Sequence, residues 1–152
     1  MKVEQIEEIL AREELQIAPL WKRFVAFVID ELLISMIIIG IAWEAISQNS
    51  QDIEIVLKIV SDYTFSMLGI ALVYHWLFVK LYGATIGKMV VRIKVIEVAL
   101  LDNPSVMQSF LRSLMRLLSI ILTYIPFIFI LSSKIYQGLH DRIANTIVIE
   151  IK

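Results

Sequence analysis

The sequence predicts an all-α membrane protein with a small polar face at one end, and three observations carry that reading. Hydrophobic residues make up 59% of the 152 positions and mean hydropathy is +0.78, against about 45–50% apolar content in an ordinary soluble domain. Three stretches, at 24–43, 63–79 and 117–133, are nearly free of charge and close to the roughly 20 residues a helix needs to cross a bilayer. Basic residues are distributed unevenly around them. Lys22 and Arg23 precede the first stretch, and Lys80, Lys88, Arg92, Lys94, Arg112 and Arg116 follow the second. Between the two stands Lys58, among Glu44, Asp52, Glu54 and Asp62. That bias puts the N-terminus and residues 80–116 in the cytoplasm and residues 44–62 outside.

Residues 1–18 read as an acidic N-terminal helix ahead of a membrane domain at 19–152. Val3, Ile6 and Leu10 recur at helical spacing, while Glu4, Glu7, Glu8, Glu13 and Glu14 oppose binding to anionic lipid. The helix is therefore expected to be solvated or docked on a partner. No small-residue cleavage site follows the apolar run that opens at Phe24, so the first span should stay in the mature protein. The second span carries Tyr74, Trp76 and Tyr82 toward its end, placed as an interfacial aromatic belt.

Gly83-Ala84-Thr85-Ile86-Gly87-Lys88 invites comparison with a phosphate-binding loop. The match fails, because three residues instead of four separate the glycines and Met89 replaces the hydroxyl that would hold magnesium. A tight turn that presents Lys88 to lipid headgroups is the expected structure. Residues 90–98 and 146–152 alternate with period two and are β-branched, the pattern of half-buried strands. They gain most by pairing as a small two-stranded cytoplasmic ribbon. Pairing requires that the third stretch, interrupted by Pro126, be a hairpin returning to the cytoplasm. The alternative is one Pro-interrupted crossing that leaves the C-terminus outside. Residues 105–119, started by Asn103-Pro104-Ser105, form an amphipathic interfacial helix whose Arg112 and Arg116 should snorkel toward phosphates. Behind Gly138, a short helix at 141–145 is expected, with Asp141 capping it or pairing with Arg142, Arg23, Arg112 or Arg116.

Asp30 is the anomaly. A carboxylate inside an apolar span costs roughly 2.5–3.5 kcal/mol on insertion scales, so it needs a partner or a wet cavity. Arg23, seven residues earlier, lies on the same helical stripe but roughly 10 Å away along the axis. Arg23, Asp30 and Asp141 are expected to converge at the cytoplasmic side as an ion-binding or charge cluster, with Glu31, His75, Lys88 and His140 as accessory candidates. The bland readings are an interfacial anchor for Arg23, a helix-packing bond for Asp30 and a belt residue for His75.

The sequence has no cysteine, two histidines and a net charge of −1. Thiol chemistry, a dedicated metal site and nucleic-acid binding have no footing in that composition, and no nucleophile–base pair is visible. Neither an enzyme nor a cofactor is expected. The expected partners are the lipid bilayer and either further copies of the chain or another membrane or cytoplasmic protein.

Three ordered motifs carry a resemblance. Arg23-x-x-Ala26-x-x-Ile29-Asp30, Gly83-x-Thr85-x-Gly87-Lys88 and Gly138-Leu139-His140-Asp141-x-x-Ala144-x-Thr146 resemble the RDD family of small bacterial membrane proteins, over about residues 19 to 151. The family's arginine and two aspartates would match Arg23, Asp30 and Asp141. Ile86 and Asn145 depart from it, where proline and glycine are frequent, which should affect turn geometry more than chemistry. The resemblance implies an integral inner-membrane protein and permits cation/proton antiport, which some members are reported to perform. Asp30 would then be the carrier, Asp141 a second carboxylate and Arg23 a tuning charge. The other reading is a non-transporting membrane adaptor or assembly factor, in which the three charges are structural.

Overall fold

In a computed structural model, residues 3–121 and 135–151 are described. Two long helices dominate. After α1 (Val3–Arg12), α2 runs over Leu20–Gln48 and α3 over Ile53–Tyr82. At about 1.5 Å per residue, each of the long pair is roughly 45 Å long. Asp52 starts α3 by accepting hydrogen bonds from the amides of Glu54 and Ile55. Gly83 stops it at φ 69°, a left-handed turn that glycine adopts without strain. A β-carbon at Gly83 would also stand 2.6 Å from Asn103 Oδ1. The outward faces are apolar: Phe24 is 67% exposed, Met36 59% and Phe65 84%. Two such helices, long and apolar, fit an all-α membrane protein.

Among the described residues, the ribbon and the short elements around it sit at the end where α2 begins and α3 stops. A turn and α4 (Ile86–Val90) lead to β1 (Ile93–Glu97), which pairs antiparallel with β2 (Thr146–Glu150) from Ile93↔Glu150 to Glu97↔Thr146. The stretch before α2 lines the other edge of β2. Ala18 donates its amide to the Val148 carbonyl at 3.0 Å, and the Glu150 amide donates to Gln16 at 2.8 Å. Both faces of the ribbon are covered. One face packs Ile96, Ile147 and Ile149 with Ile135 and with Ile6 and Leu10 of α1. The other packs Val95 and Val148 onto Ala26 and Val79 of the long helices. The acidic helix is thus docked on its own chain, its apolar stripe against the ribbon and Glu4, Glu7 and Glu8 exposed. The sequence predicts a solvated helix or one docked on a partner; the apolar stripe is covered by the chain's own ribbon, and the acidic face is solvated. A period-three-to-four stripe records that a helix is covered, not by what.

Next come α5 (Val106–Ile121), packed on α3, and α6 (Leu139–Ile143). The aromatic belt is not an outward girdle. Trp76 donates to the Val106 carbonyl at 3.3 Å and packs edge-on against Phe110, and Tyr74 turns toward α2, while Tyr82 is exposed. Most of the third apolar stretch, with Pro126, lies outside the described residues. Ile135, just beyond it, is buried in the ribbon core.

Candidate functional site

Asp30 is fully buried on α2, and three neutral donors close on it. Tyr74 Oη lies 2.6 Å from Oδ1 and the Gly87 amide 2.8 Å from the same oxygen, while Thr85 Oγ1 lies 2.6 Å from Oδ2. The glycine-rich turn that fails as a phosphate loop is therefore a receptor for the chain's own carboxylate. Its spacing explains the residue types. Thr85 supplies a hydroxyl, and Gly87 lets the turn touch α2: a β-carbon there would strike the Ala26 carbonyl and stand 2.9 Å from Asp30 Oδ1. Ala26 is small for the same contact. The Ile86 amide donates to Tyr74 Oη at 3.0 Å, a bond that proline at this position would lack. The departure at Ile86 therefore changes a hydrogen bond as well as the turn.

Asp141 is neutralised by charge instead. Arg112 donates to Asp141 and, at 2.8 Å, to Thr146 Oγ1. Arg23 Nη1 approaches Asp141 Oδ2 at 3.7 Å. The same carboxylate accepts the Gly138 amide at 3.0 Å, so it also caps α6. Arg23 spends its shorter bonds on backbone carbonyls: Ala18 at 3.1 Å, Tyr136 at 2.6 Å and Val148 at 3.1 Å. It staples the start of α2 to β2 and to the segment before α6. Arg116 takes Glu31 at 3.1 Å and lies over the Phe27 ring.

The expected triad is thus two linked sites. Arg23 and Asp141 meet; Asp30 bonds to neither. Glu31 has its own arginine. Lys88 is buried, 3.5 Å from Thr85 Oγ1, and does not reach out to headgroups. Arg112 and Arg116 likewise turn inward, and His75 is buried instead of belonging to a belt. In each case a long apolar stem with a polar tip fits an interfacial or an internal address equally well, and the buried carboxylates decide for the interior. Tyr74, Thr85 and Gly87 are the functional residues that sequence reasoning missed as a set. The available signals were the two glycines and single hydroxyl of the turn, which also stand in the motif that carries the family resemblance.

The Asp141 site lies on a chamber of about 70 Å³ whose wall includes Arg23, His75, Lys88, Arg112, Arg116, His140 and Asp141 itself; Lys88 connects it to the turn that holds Asp30. Burial, then the fields of Arg112 and Arg116, pull the Lys88 ammonium from its usual range down to about 7, and Asp30 offsets part of that. Burial and the fields of Arg23 and Arg116 lower Arg112 to about 9, still charged at neutral pH. His140 is pushed well below its ordinary value by burial and by Arg112, Arg116 and Lys88. It is neutral at pH 7, and its Nε2 stands 3.6 Å from Asp141 Oδ1, too long for a hydrogen bond.

The RDD family model matches residues 17–145. An uncharacterized protein of Rickettsia prowazekii (strain Madrid E) is 40% identical over 68 residues, which is 45% of this chain and 37% of the relative. The match thus spans little more than a third of that protein's length. No solved structure matches.

Proposed function

This chain belongs to the RDD family, and from that premise we propose an integral protein of a bacterial inner membrane that serves as a non-transporting adaptor or assembly factor. It crosses the bilayer with α2 and α3 and keeps α1 and the ribbon in the cytoplasm, the side that the basic flanks favour. Its partner is a further copy or another membrane or cytoplasmic protein. The observation that carries this reading is the saturation of Asp30: 0% exposed and held by three donors within 2.8 Å. Three of the about four acceptor positions of the carboxylate are filled, and a cation that replaced these donors would break the contacts holding the turn between α3 and the ribbon against α2. Asp30 is a structural anchor.

A second reading, cation/proton antiport through Asp30, draws on one observation. Lys88, near 7, stands beside the same turn and can exchange a proton at neutral pH. Antiport would call for an oligomer, since the two long helices among the described residues enclose no pathway by themselves. Asp30→Asn separates the two. The amide keeps one acceptor oxygen but sets an NH₂ group against a donor, and charge-assisted bonds are worth about 1.5–3 kcal/mol each. The expected result is a loss of about 2–4 kcal/mol in stability, lower protein levels, and no cation-driven proton flux in wild-type proteoliposomes. Wild-type flux that vanishes in a variant with unchanged melting would establish antiport instead.

A further inference from the structure

We propose that the chamber beneath the ribbon binds a tetrahedral oxyanion, a phosphate group that is either free or carried on a lipid headgroup. Three observations converge on it. The first is the charge count around the chamber. Arg23, Lys88, Arg112 and Arg116 face it, and the carboxylates in or behind its wall are Asp141, Glu31 and Asp30. Arg112 and Arg23 share Asp141, Arg116 pairs with Glu31, and Asp30 is filled by neutral donors. The surplus positive charge falls on Arg23 and Arg112, which share one carboxylate, beside Lys88, which feels Asp30 only through its field and whose nearest hydrogen-bonding contact among the described residues is a hydroxyl at 3.5 Å. A buried cation without a counter-charge is costly, and a bound anion removes that cost.

The second observation is a pair of buried nitrogens without partners, of which His75 Nε2 becomes a donor when the proposed anion holds the ring proton there. His75 Nε2 and Arg116 Nε are buried without a hydrogen-bond partner among the described residues, and both side chains line the chamber. His75 is 5% exposed, so bulk water does not serve it. Buried donors without partners are rare in native proteins. Guanidinium nitrogens, an ammonium and an imidazole N–H around one small space are a donor set for an acceptor-only ligand.

The third is size and position. A volume of about 70 Å³ corresponds to about two waters at ~30 Å³ each, which leaves room for one small oxyanion and not for a nucleotide. Arg23 begins the first apolar stretch, so the chamber sits level with the membrane surface. Basic pockets between helices at that depth can take the phosphate of an anionic lipid. Waters alone could satisfy His75 and Arg116, but they could not neutralise the surplus positive charge around the chamber. The inference is independent of whether Asp30 carries ions.

The test uses the full chain in nanodiscs and reads thermal melting. In discs of zwitterionic phosphatidylcholine, inorganic phosphate is titrated against chloride at constant ionic strength. A second set replaces part of the lipid with phosphatidylglycerol. A saturable rise of several degrees with phosphate identifies a free oxyanion, and a rise confined to phosphatidylglycerol discs identifies a headgroup. In either case Lys88→Met should abolish the rise while melting no lower than wild type in chloride, since the buried charge is gone. His75→Phe, which keeps a ring and loses the donor, should weaken the response at least tenfold in half-saturating anion; it carries the comparison if Lys88→Met fails to fold. No rise with either source overturns the proposal, and so does a rise that both variants retain.

Discussion

Asp30 and Asp141 are both almost wholly buried carboxylates, held by opposite means. Asp30 takes hydroxyls and an amide, Asp141 takes two arginines. Burial and the fields of Arg112 and Arg116 outweigh the help Asp30 gives Lys88, which gives a pH dependence with a definite sign. The folded pKa, about 7, lies below the ordinary value of 10.5. Between those values the unfolded chain holds a proton that the folded one has released, so stability rises with pH across that window. The penalty is fully present below pH 7. In zwitterionic lipid and chloride, wild type should gain about 2 kcal/mol from this group between pH 7 and 9. Lys88→Met should be flatter by that amount, with Arg23, Arg112, Arg116, His140 and Asp30 common to both proteins. Equal slopes in denaturant melts would refute the assignment. Asp30 stood out in the sequence because a charge in an apolar run is conspicuous. Its ligands did not, because a backbone amide has no letter of its own and a tyrosine near a span end looks like any interfacial tyrosine.

At the scale of elements, the long helices and the ribbon strands were legible because their periods, near continuous apolarity and strict alternation, are set by what each face touches. Asn145 shows the finer grain. It holds φ 50° after α6, a left-handed conformation that glycine takes freely and asparagine tolerates better than most residues, so the family's frequent glycine is intelligible there. The docking of α1 was not legible, since the covering surface is assembled from strands far along the chain. It is testable. Leu10 is 4% exposed against Ile147 and Ile149, and Leu10→Asp would bury a charge as well as remove packing, at a cost above the about 2–5 kcal/mol of a truncation. The linker at residues 13–19 should become rapidly cleavable by protease while α2 and α3 remain inserted. Unchanged protection would show that α1 is held by something else.

Across the whole molecule, Ile17 bridges Ile149 while β2 pairs with β1, so the C-terminal strand and the start of α2 share one end of the helical pair. A fluorescent protein that matures only in the cytoplasm, fused after Lys152, should therefore be bright, whereas a phosphatase active only after export should be silent. The reverse pattern would mean that the ribbon does not form in the cell or that the end carrying it faces outward, and a reporter on the N-terminus distinguishes the two. That same closure sets a timetable for synthesis. Ile6 must wait for Ile147, 141 positions later (147 − 6). At about 5–20 residues per second, the wait is roughly 7–28 s. In the later part of it, once Tyr82 has been made, both long helices can already be in the bilayer while the greasy side of α1 stays partly uncovered. Newborn copies stalled before Thr146 should consequently be targets for holding chaperones and proteases, and the last strand acts as the seal that releases the protein from that surveillance.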